Sequence, residues 1–275
     1  MGADAILAGL KRLTVTAGRD KSGAAEARNI DFRVGEISAL LGPTGSGKSR
    51  FLADIESMAD GDTPTARRLL LDGQAPSPDD RFALQGRLVA QLTQNMNFVM
   101  DMGAGDFIRT HAESREVADP SAAAERVLEA ANRLAGEPFR PETQLTALSG
   151  GQSRALMIAD TALLSVSPVL LIDEIENAGV DKRRALDLLL GSEKIIVIAT
   201  HDPVLALSAD RRLVFENGAV KQVLRRTEGE EKLLAEMVET EKRWSEVRGA
   251  LRRGVAVERA GDLEDRPSPK GSRHV

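Results

Sequence analysis

Residues 37–59 read ISALLGPTGSGKSRFLADIESMA, a short apolar run followed by a glycine-rich turn and then an amphipathic stretch. The run at 37–42 predicts a central strand, and the stretch after the turn predicts a helix. The turn, Gly42–Ser49, has the spacing G-x-x-x-x-G-K-S, in which backbone N–H groups at a helix start face phosphate oxygens. Because strand and helix are both in place, the pattern predicts a phosphate-binding loop rather than a chance glycine-rich turn.

Two side chains of this loop have separate predicted roles. Lys48 would reach the β- and γ-phosphates of a nucleotide, and Ser49 would ligate Mg²⁺. The predicted nucleotide contacts come from one continuous segment, Gly42, Pro43, Thr44, Gly45, Ser46, Gly47, Lys48, Ser49 and Arg50.

A second apolar run, at 169–172, ends in two adjacent acids, Asp173 and Glu174. A carboxylate at the end of a strand near a phosphate loop can hold Mg²⁺, which is the role predicted for Asp173. Glu174 is predicted to polarise the attacking water as a general base. The alternative is that the two acids only keep the end of the strand solvated. The phosphate loop upstream makes this alternative less favoured.

The remaining apolar patterns predict an α/β protein. Continuous apolar strands at 168–173 and 194–200, separated by a helix around 182–190, indicate a parallel sheet covered on both faces. Apolar and polar residues alternate in two stretches of 6–34, which predicts further strands. Residues 67–73 predict another strand, closed by an Asp-Gly turn.

The pattern becomes helical from about 95 to 165. Asp119 is predicted to be the N-cap of a helix that runs to Gly136, and 152–165 predicts another helix. The segment QAPSPDDR, at 74–81, predicts a polar loop.

The bulk composition excludes several classes of protein. Of 275 residues, none is cysteine, and the net charge is -5, so disulfides and thiolate metal sites are excluded and a basic, nucleic-acid-binding surface is not indicated. No apolar run approaches the ~20 residues that span a bilayer, and the N-terminus lacks the pattern of a secretory signal. These features predict a cytoplasmic protein.

The composition shifts after about residue 226. Residues 227–258 predict a helical extension with one apolar face. We favour packing of this helix on its own domain over a partner-docking or coiled-coil role. The final residues, 259–275, are predicted to be disordered.

The order of the motifs resembles the ATP-binding cassette (ABC) family of ATPases. LSGGQ, at 148–152, matches the family's signature sequence and lies between the phosphate loop and the acidic strand end. Gln94 falls where the family has its Q-loop glutamine, and His201 where it has its switch histidine. The resemblance covers roughly residues 5–225.

The resemblance implies a fold and a catalytic arrangement. The fold would be a P-loop NTPase core with a mostly parallel sheet, an antiparallel β subdomain and a helical signature subdomain, in an ATPase domain at residues 1–226. Two cassettes would pair head-to-tail around two ATP molecules, as a homodimer or with a similar cassette. Gln94 would touch Mg²⁺ or the attacking water, and His201 would hydrogen-bond the γ-phosphate. The residues that would face the partner's phosphate loop are Ser149, Gly150, Gly151 and Gln152.

This sequence departs from the family's pattern at two places. Ile175 stands where the family has proline, and the loop at 177–181 is one residue longer, with Asp181 as the match to its nucleotide-contacting aspartate. The family stacks adenine on an aromatic residue upstream of the phosphate loop, but this chain has no tyrosine. Phe32 is predicted to be core, and Arg19 is predicted to be a solvated loop residue.

Two functions remain open. The first is the nucleotide-binding subunit of a membrane transporter whose spanning subunits are separate chains, which would place this chain at the inner face of the membrane. The second is a soluble ABC ATPase that remodels a protein, nucleic-acid or metalloenzyme partner. A third, an ATP-binding switch without turnover, is disfavoured because Glu174 and His201 are both present.

Overall fold

The computed structural model describes residues 3–93, 98–173, 180–191, 193–252 and 254–256. The chain forms two compact units, which divide between Arg225 and Arg226. The strands of the first unit are β1 (Arg12–Val15), β2 (Ile30–Arg33), β3 (Ile37–Leu41), β4 (Leu69–Leu71), β5 (Val89–Leu92), β6 (Val169–Asp173), β7 (Ile195–Ala199), β8 (Arg211–Glu216) and β9 (Ala219–Arg225). Its helices are α1 (Ala3–Gly9), α2 (Lys48–Glu56), α3 (Pro78–Leu84), α4 (Ala104–Ser114), α5 (Pro120–Leu134), α6 (Gly150–Leu163), α7 (Lys182–Leu190) and α8 (Pro203–Ser208).

The larger sheet has the order β5-β6-β7-β3-β8-β9, with β9 antiparallel to β8 and the other pairs parallel. The side chains of successive residues in its central strands pack in two different hydrophobic cores. Leu171 and Val197 pack with Phe51 of α2, whereas Leu170 packs with Leu186 of α7. The predicted parallel sheet with both faces covered is therefore confirmed.

A smaller antiparallel sheet has the order β2-β1-β4. After β4, Asp72 and Gly73 both have positive φ, 48° and 89°, as in the type I′ turns that close tight hairpins. The predicted strand and its Asp-Gly turn are confirmed. Phe32 of β2 is 1% exposed and belongs to the core, also as predicted.

The helical part contains α4, α5 and α6, whose apolar faces share a third core. Asp119 caps α5, because its side chain accepts a hydrogen bond from the Ala122 N–H at 2.9 Å. The predicted N-cap is confirmed, although α5 ends at Leu134, before Gly136.

Two local predictions were wrong. Residues 6–9 were expected to extend a strand, but they belong to α1, because Ala3, Ile6 and Leu7 recur at helical spacing and pack on the core. Residues 78–81 were expected to be loop, but they open α3. Ser77 caps that helix, with its side chain accepting from Asp80 N–H, and a proline follows at the first helical position.

The second unit contains helix α9, Glu228–Arg252, which confirms the predicted helix over that range. What its apolar face packs against and the domain bounds 1–226 and 227–258 stay predictions. The predicted tail, 259–275, lies outside the described residues. Within the described ranges, no helix is both long and apolar enough to cross a membrane.

Candidate functional site

Three parts of the predicted site lie where strands end at one edge of the larger sheet. The phosphate loop follows β3, Asp173 ends β6, and His201 comes two residues after β7. Neighbouring strands lie ~4.8 Å apart, so the ends of β3 and β6, with β7 between them, are separated by roughly 10 Å. Gln94, after β5, and Glu174, after β6, lie outside the described residues.

The phosphate loop has the backbone shape that its glycines allow. Gly42, Gly45 and Gly47 have φ of 141°, 78° and 111°, values that side-chain-bearing residues rarely adopt. Gly47 is the N-cap of α2, and no side chain within the described chain caps that helix start. The N–H groups at the start of α2 can therefore serve an anion.

Lys48 brings a positive charge to the same loop. It is 7% exposed, and its Nζ donates to the carbonyl oxygens of Gly42 at 2.6 Å and Pro43 at 3.3 Å. Ser49 and Arg50, which follow it, are exposed. Arg50 Nε lies 3.5 Å from an oxygen of Asp54 one turn later, so this arginine is tied to its own helix.

The switch histidine candidate is fixed beside the loop through its neighbours. Thr200 is buried, and its N–H donates to the carbonyl of Leu40 in β3 at 3.4 Å. Asp202 caps α8 by accepting from Leu205 N–H at 3.0 Å. His201 lies between them and is exposed, so its side chain is accessible to a ligand.

Asp173 is held by the sheet. It pairs in register with Ala199 of β7, and its side chain is half-buried at the end of β6. This position lies at the same sheet edge as the phosphate loop, and the metal-binding role of Asp173 stays a prediction.

The signature residues lie at the start of α6, in the helical part. Ser149 and Gln152 form a capping box: the Ser149 hydroxyl accepts from Gln152 N–H at 3.3 Å, and Gln152 Oε1 accepts from Ser149 N–H at 2.9 Å. Gln152 also donates to the Glu137 carbonyl at 3.2 Å. Ser149 and Gly150 are exposed, and Gly151 and Gln152 are half-buried. The start of α6 is thus held by hydrogen bonds and accessible to solvent.

Asp181 is the N-cap of α7. Its side chain caps α7 by accepting from Arg184 N–H at 3.1 Å, and its own N–H donates to the Leu134 carbonyl at 3.0 Å. The carboxylate is exposed. The predicted contact of Asp181 with nucleotide stays a prediction.

Two residues that contact the phosphate loop were not predicted from the sequence. Lys21 Nζ donates to the Gly45 carbonyl at 2.5 Å, and Gly218 N–H donates to the Ser46 carbonyl at 2.7 Å. The dipeptide Asn217–Gly218 is a recognised hairpin-turn signal and could have been found. Lys21, in the loop between β1 and β2, carries no comparable signal.

The chain resembles known proteins over most of its length. Residues 26–177 match the family described as ABC transporter. An uncharacterized ABC transporter ATP-binding protein of Methanocaldococcus jannaschii is 47% identical over 246 residues, which cover 89% of this chain and 94% of the relative.

Two solved structures show the same architecture. CbiO1 of Clostridium perfringens, described as part of an ABC transporter complex, gives a TM-score of 0.58 at 22% identity, covering 85% of this chain and 94% of that one. A dimeric ATP-binding cassette in a post-hydrolysis state with ADP and Pi gives 0.58 at 20% identity, covering 78% and 99%. These likenesses confirm the fold predicted from the sequence.

Proposed function

The chain belongs to the ABC transporter family, and from this premise we propose that it hydrolyses MgATP as the nucleotide-binding subunit of a membrane transporter. The family and the ATPase class predicted from the sequence are confirmed. The observation that carries the proposal is the meeting of three features at one sheet edge: the glycine loop with buried Lys48, the carboxylate of Asp173, and the exposed imidazole of His201.

The phosphate loop would bind the phosphates of the nucleotide. Its N–H groups at the start of α2 would hold the β-phosphate, and Lys48 would exchange its bonds to the Gly42 and Pro43 carbonyls for bonds to phosphate oxygens. This exchange costs little, because the ammonium already lies at the loop and its new partners are anionic.

The available donors fit Mg²⁺. The hydroxyl of Ser49, the carboxylate of Asp173 and the amide oxygen of Gln94 are all hard oxygen donors, which Mg²⁺ prefers. Ser49 is exposed in the first turn of α2 and Asp173 ends a strand at the same sheet edge. When bound, the metal would neutralise charge on the β- and γ-phosphates.

In hydrolysis, the residues of this chain would position the water molecule that attacks the γ-phosphate. Glu174 would accept a proton from that water as its oxygen bonds to the γ-phosphorus and the bond to the ADP oxygen breaks. His201 would hydrogen-bond the γ-phosphate, and Gln94 would contact the metal or the water. The products are ADP and inorganic phosphate.

A second cassette would complete the site. The hydroxyl of Ser149 and the start of α6 are exposed and held in shape by the capping box, so they are suited to the γ-phosphate bound by a partner cassette. This arrangement supports a head-to-tail dimer, either of two copies or with a similar chain.

The surface after Gln94 supports the transporter role. Phe98 packs edge-on against Phe107, with ring centroids 5.1 Å apart, but Val99 and Met100 are 89% and 49% exposed. In this family, transmembrane subunits dock near the Q-loop. Two adjacent apolar side chains in solvent at that place favour docking over the core-packing explanation of this segment.

The test is a pull-down of tagged Glu174→Gln with MgATP, from solubilised membranes and from cytosol. Recovery of a polytopic membrane protein, identified by peptide mass spectrometry, is the expected result. Val99→Asp should lose that protein, whereas Phe82→Asp should keep it, since Phe82 is equally apolar and 82% exposed on α3. A soluble partner with membranes empty would contradict the proposal and favour a remodelling ATPase.

A further inference from the structure

Arg67 lies just before β4, and its side chain is 0% exposed. Its Nε and Nη2 donate to the two carboxylate oxygens of Glu26 at 2.9 and 2.7 Å. Its Nη1 donates to Asp54 at 3.0 Å, and Nη2 also donates to the carbonyl of Gly218 at 2.6 Å. The guanidinium carbon lies 5.0 Å from the centre of the Phe51 ring. Each of the three guanidinium nitrogens of Arg67 therefore donates at least one hydrogen bond.

The three acceptors belong to three segments around the phosphate loop. Asp54 lies on α2, the helix that the loop opens. Glu26 accepts from Gly18 N–H at 2.9 Å, and so fixes the loop between β1 and β2. Gly218 lies in the turn between β8 and β9. Arg67 connects these segments, although they are distant in sequence.

The Gly218 turn lies directly against the phosphate loop. A Cβ atom at Gly47 would come 2.6 Å from Gly218 Cα, and one at Gly218 would come 2.9 Å from Lys21 Cγ. Gly218 has φ of 88°, and Lys21 N–H donates to the Asn217 carbonyl at 2.9 Å. The turn thus fills the space between the phosphate loop and Lys21 and leaves no room for a side chain on either glycine.

Gly218 links Arg67 to the phosphate loop. Its carbonyl accepts from Arg67, and its N–H donates to the Ser46 carbonyl at 2.7 Å. Holding the Ser46 carbonyl on the outer side of the loop helps to keep the N–H groups of the loop on the inner side, where phosphate binds.

The charge of Arg67 is stable in this setting. Burial alone opposes the charged form, but hydrogen bonds and attraction from Glu26 and then Asp54 outweigh it and raise the pKa of Arg67 above its ordinary value. A buried ion pair adds little net stability compared with apolar packing. Its distinctive contribution is a fixed geometry, because the planar fork of arginine matches its acceptors in one orientation.

We propose that Arg67 is a positioning residue for the phosphate loop, and that it acts through the Asn217–Gly218 turn. By fixing the turn before nucleotide arrives, it lowers the ordering cost of binding. The proposal rests on the proposed function, because its effect is on nucleotide affinity.

The test compares Arg67→Met with Arg211→Met. Arg211 is a matched buried arginine: it donates to Ser38 Oγ at 2.8 Å, lies 3.3 Å from Glu36, and stacks 5.0 Å from the Phe32 ring centre. It pairs with Ser38 at the opposite end of β3 from the phosphate loop, roughly 13 Å away along the strand. Both variants should lower Tm.

MgADP affinity distinguishes the two positions, measured by calorimetry at a temperature where each protein is folded. Arg67→Met should raise the Kd at least about tenfold, equal to about 1.4 kcal/mol, with kcat at saturating ATP retained. Arg211→Met should bind as the wild type does. Equal affinity in the two variants would overturn the proposal. If the wild type binds no MgADP, the proposed function itself fails.

A second variant covers the possibility that Arg67→Met does not fold. Arg67→Lys keeps the buried charge but cannot reach the two acids and the Gly218 carbonyl together. Hydrogen exchange in peptides covering 42–49 and 217–219 should be faster in this variant without nucleotide, and unchanged in Arg211→Lys. Equal exchange in both variants would overturn the proposal.

Discussion

The Nζ atom of Lys48 lies 2.6 Å from the carbonyl oxygen of Gly42, the first glycine of the same loop. The side chain of Lys48 therefore places a positive charge at the loop. Lys48→Ala should raise the Kd for MgATP by about 10- to 100-fold, the range expected for one hydrogen bond to a charged group. Titration calorimetry measures this effect directly.

A surface lysine provides the control for this prediction. Lys221 is exposed on β9 and lies 3.9 Å from Glu216, so Lys221→Ala changes net charge by the same amount without touching the loop. It should leave the Kd unaltered. Equal losses in the two variants would mean that overall charge, and not the loop contact, determines affinity.

Substitutions at Ser149 separate helix capping from nucleotide recognition. Ser149→Asp retains a good N-cap but would place a carboxylate against the partner's γ-phosphate. We expect Tm near that of the wild type, together with loss of the ATP-dependent dimer of Glu174→Gln in size-exclusion chromatography. Ser149→Ala should lose about 1 kcal/mol of stability with the cap. A normal dimer in Ser149→Asp would remove this residue from the interface.

The adenine pocket should discriminate weakly between bases. The chain has no tyrosine, Phe32 is 1% exposed, and Arg19 is an exposed residue whose Nη1 donates to the Gly23 carbonyl at 3.3 Å. Steady-state turnover of GTP should therefore be comparable to that of ATP. A GTP rate below ~1% of the ATP rate would contradict this, because that ratio requires ~2.7 kcal/mol of differential binding.

The elements that could be predicted were those with strong local patterns. β3, β6 and β7 are mostly apolar runs, and Asp119 precedes a proline and a periodic apolar stripe. α1 was misread because its short apolar pattern fits strand and helix templates almost equally well. The start of α3 was misread because Ser77 and the following proline and acids resemble a turn as well as a helix start.

Residues of the candidate site could be proposed from the sequence where they belong to ordered motifs, and not where distant segments meet. Gly42–Ser49 follow a strand, and Asp173 ends a strand, that could be recognised locally. Arg67 could not be recognised, because its partners Glu26 and Gly218 lie 41 and 151 residues away in sequence. The pairing of β1 with β4 brings Arg67 near the loop that holds Glu26, and the pairing of β3 with β8 brings the Gly218 turn beside the phosphate loop.

The ATPase rate of purified Glu174→Gln, compared with the wild type at saturating MgATP, tests the central claim most directly. Loss of a general base costs ~10²–10⁴-fold, so phosphate release should be at least ~100-fold slower while MgATP still binds. Turnover near the wild-type rate in this variant would contradict the assignment of Glu174 and of the hydrolytic site built around it.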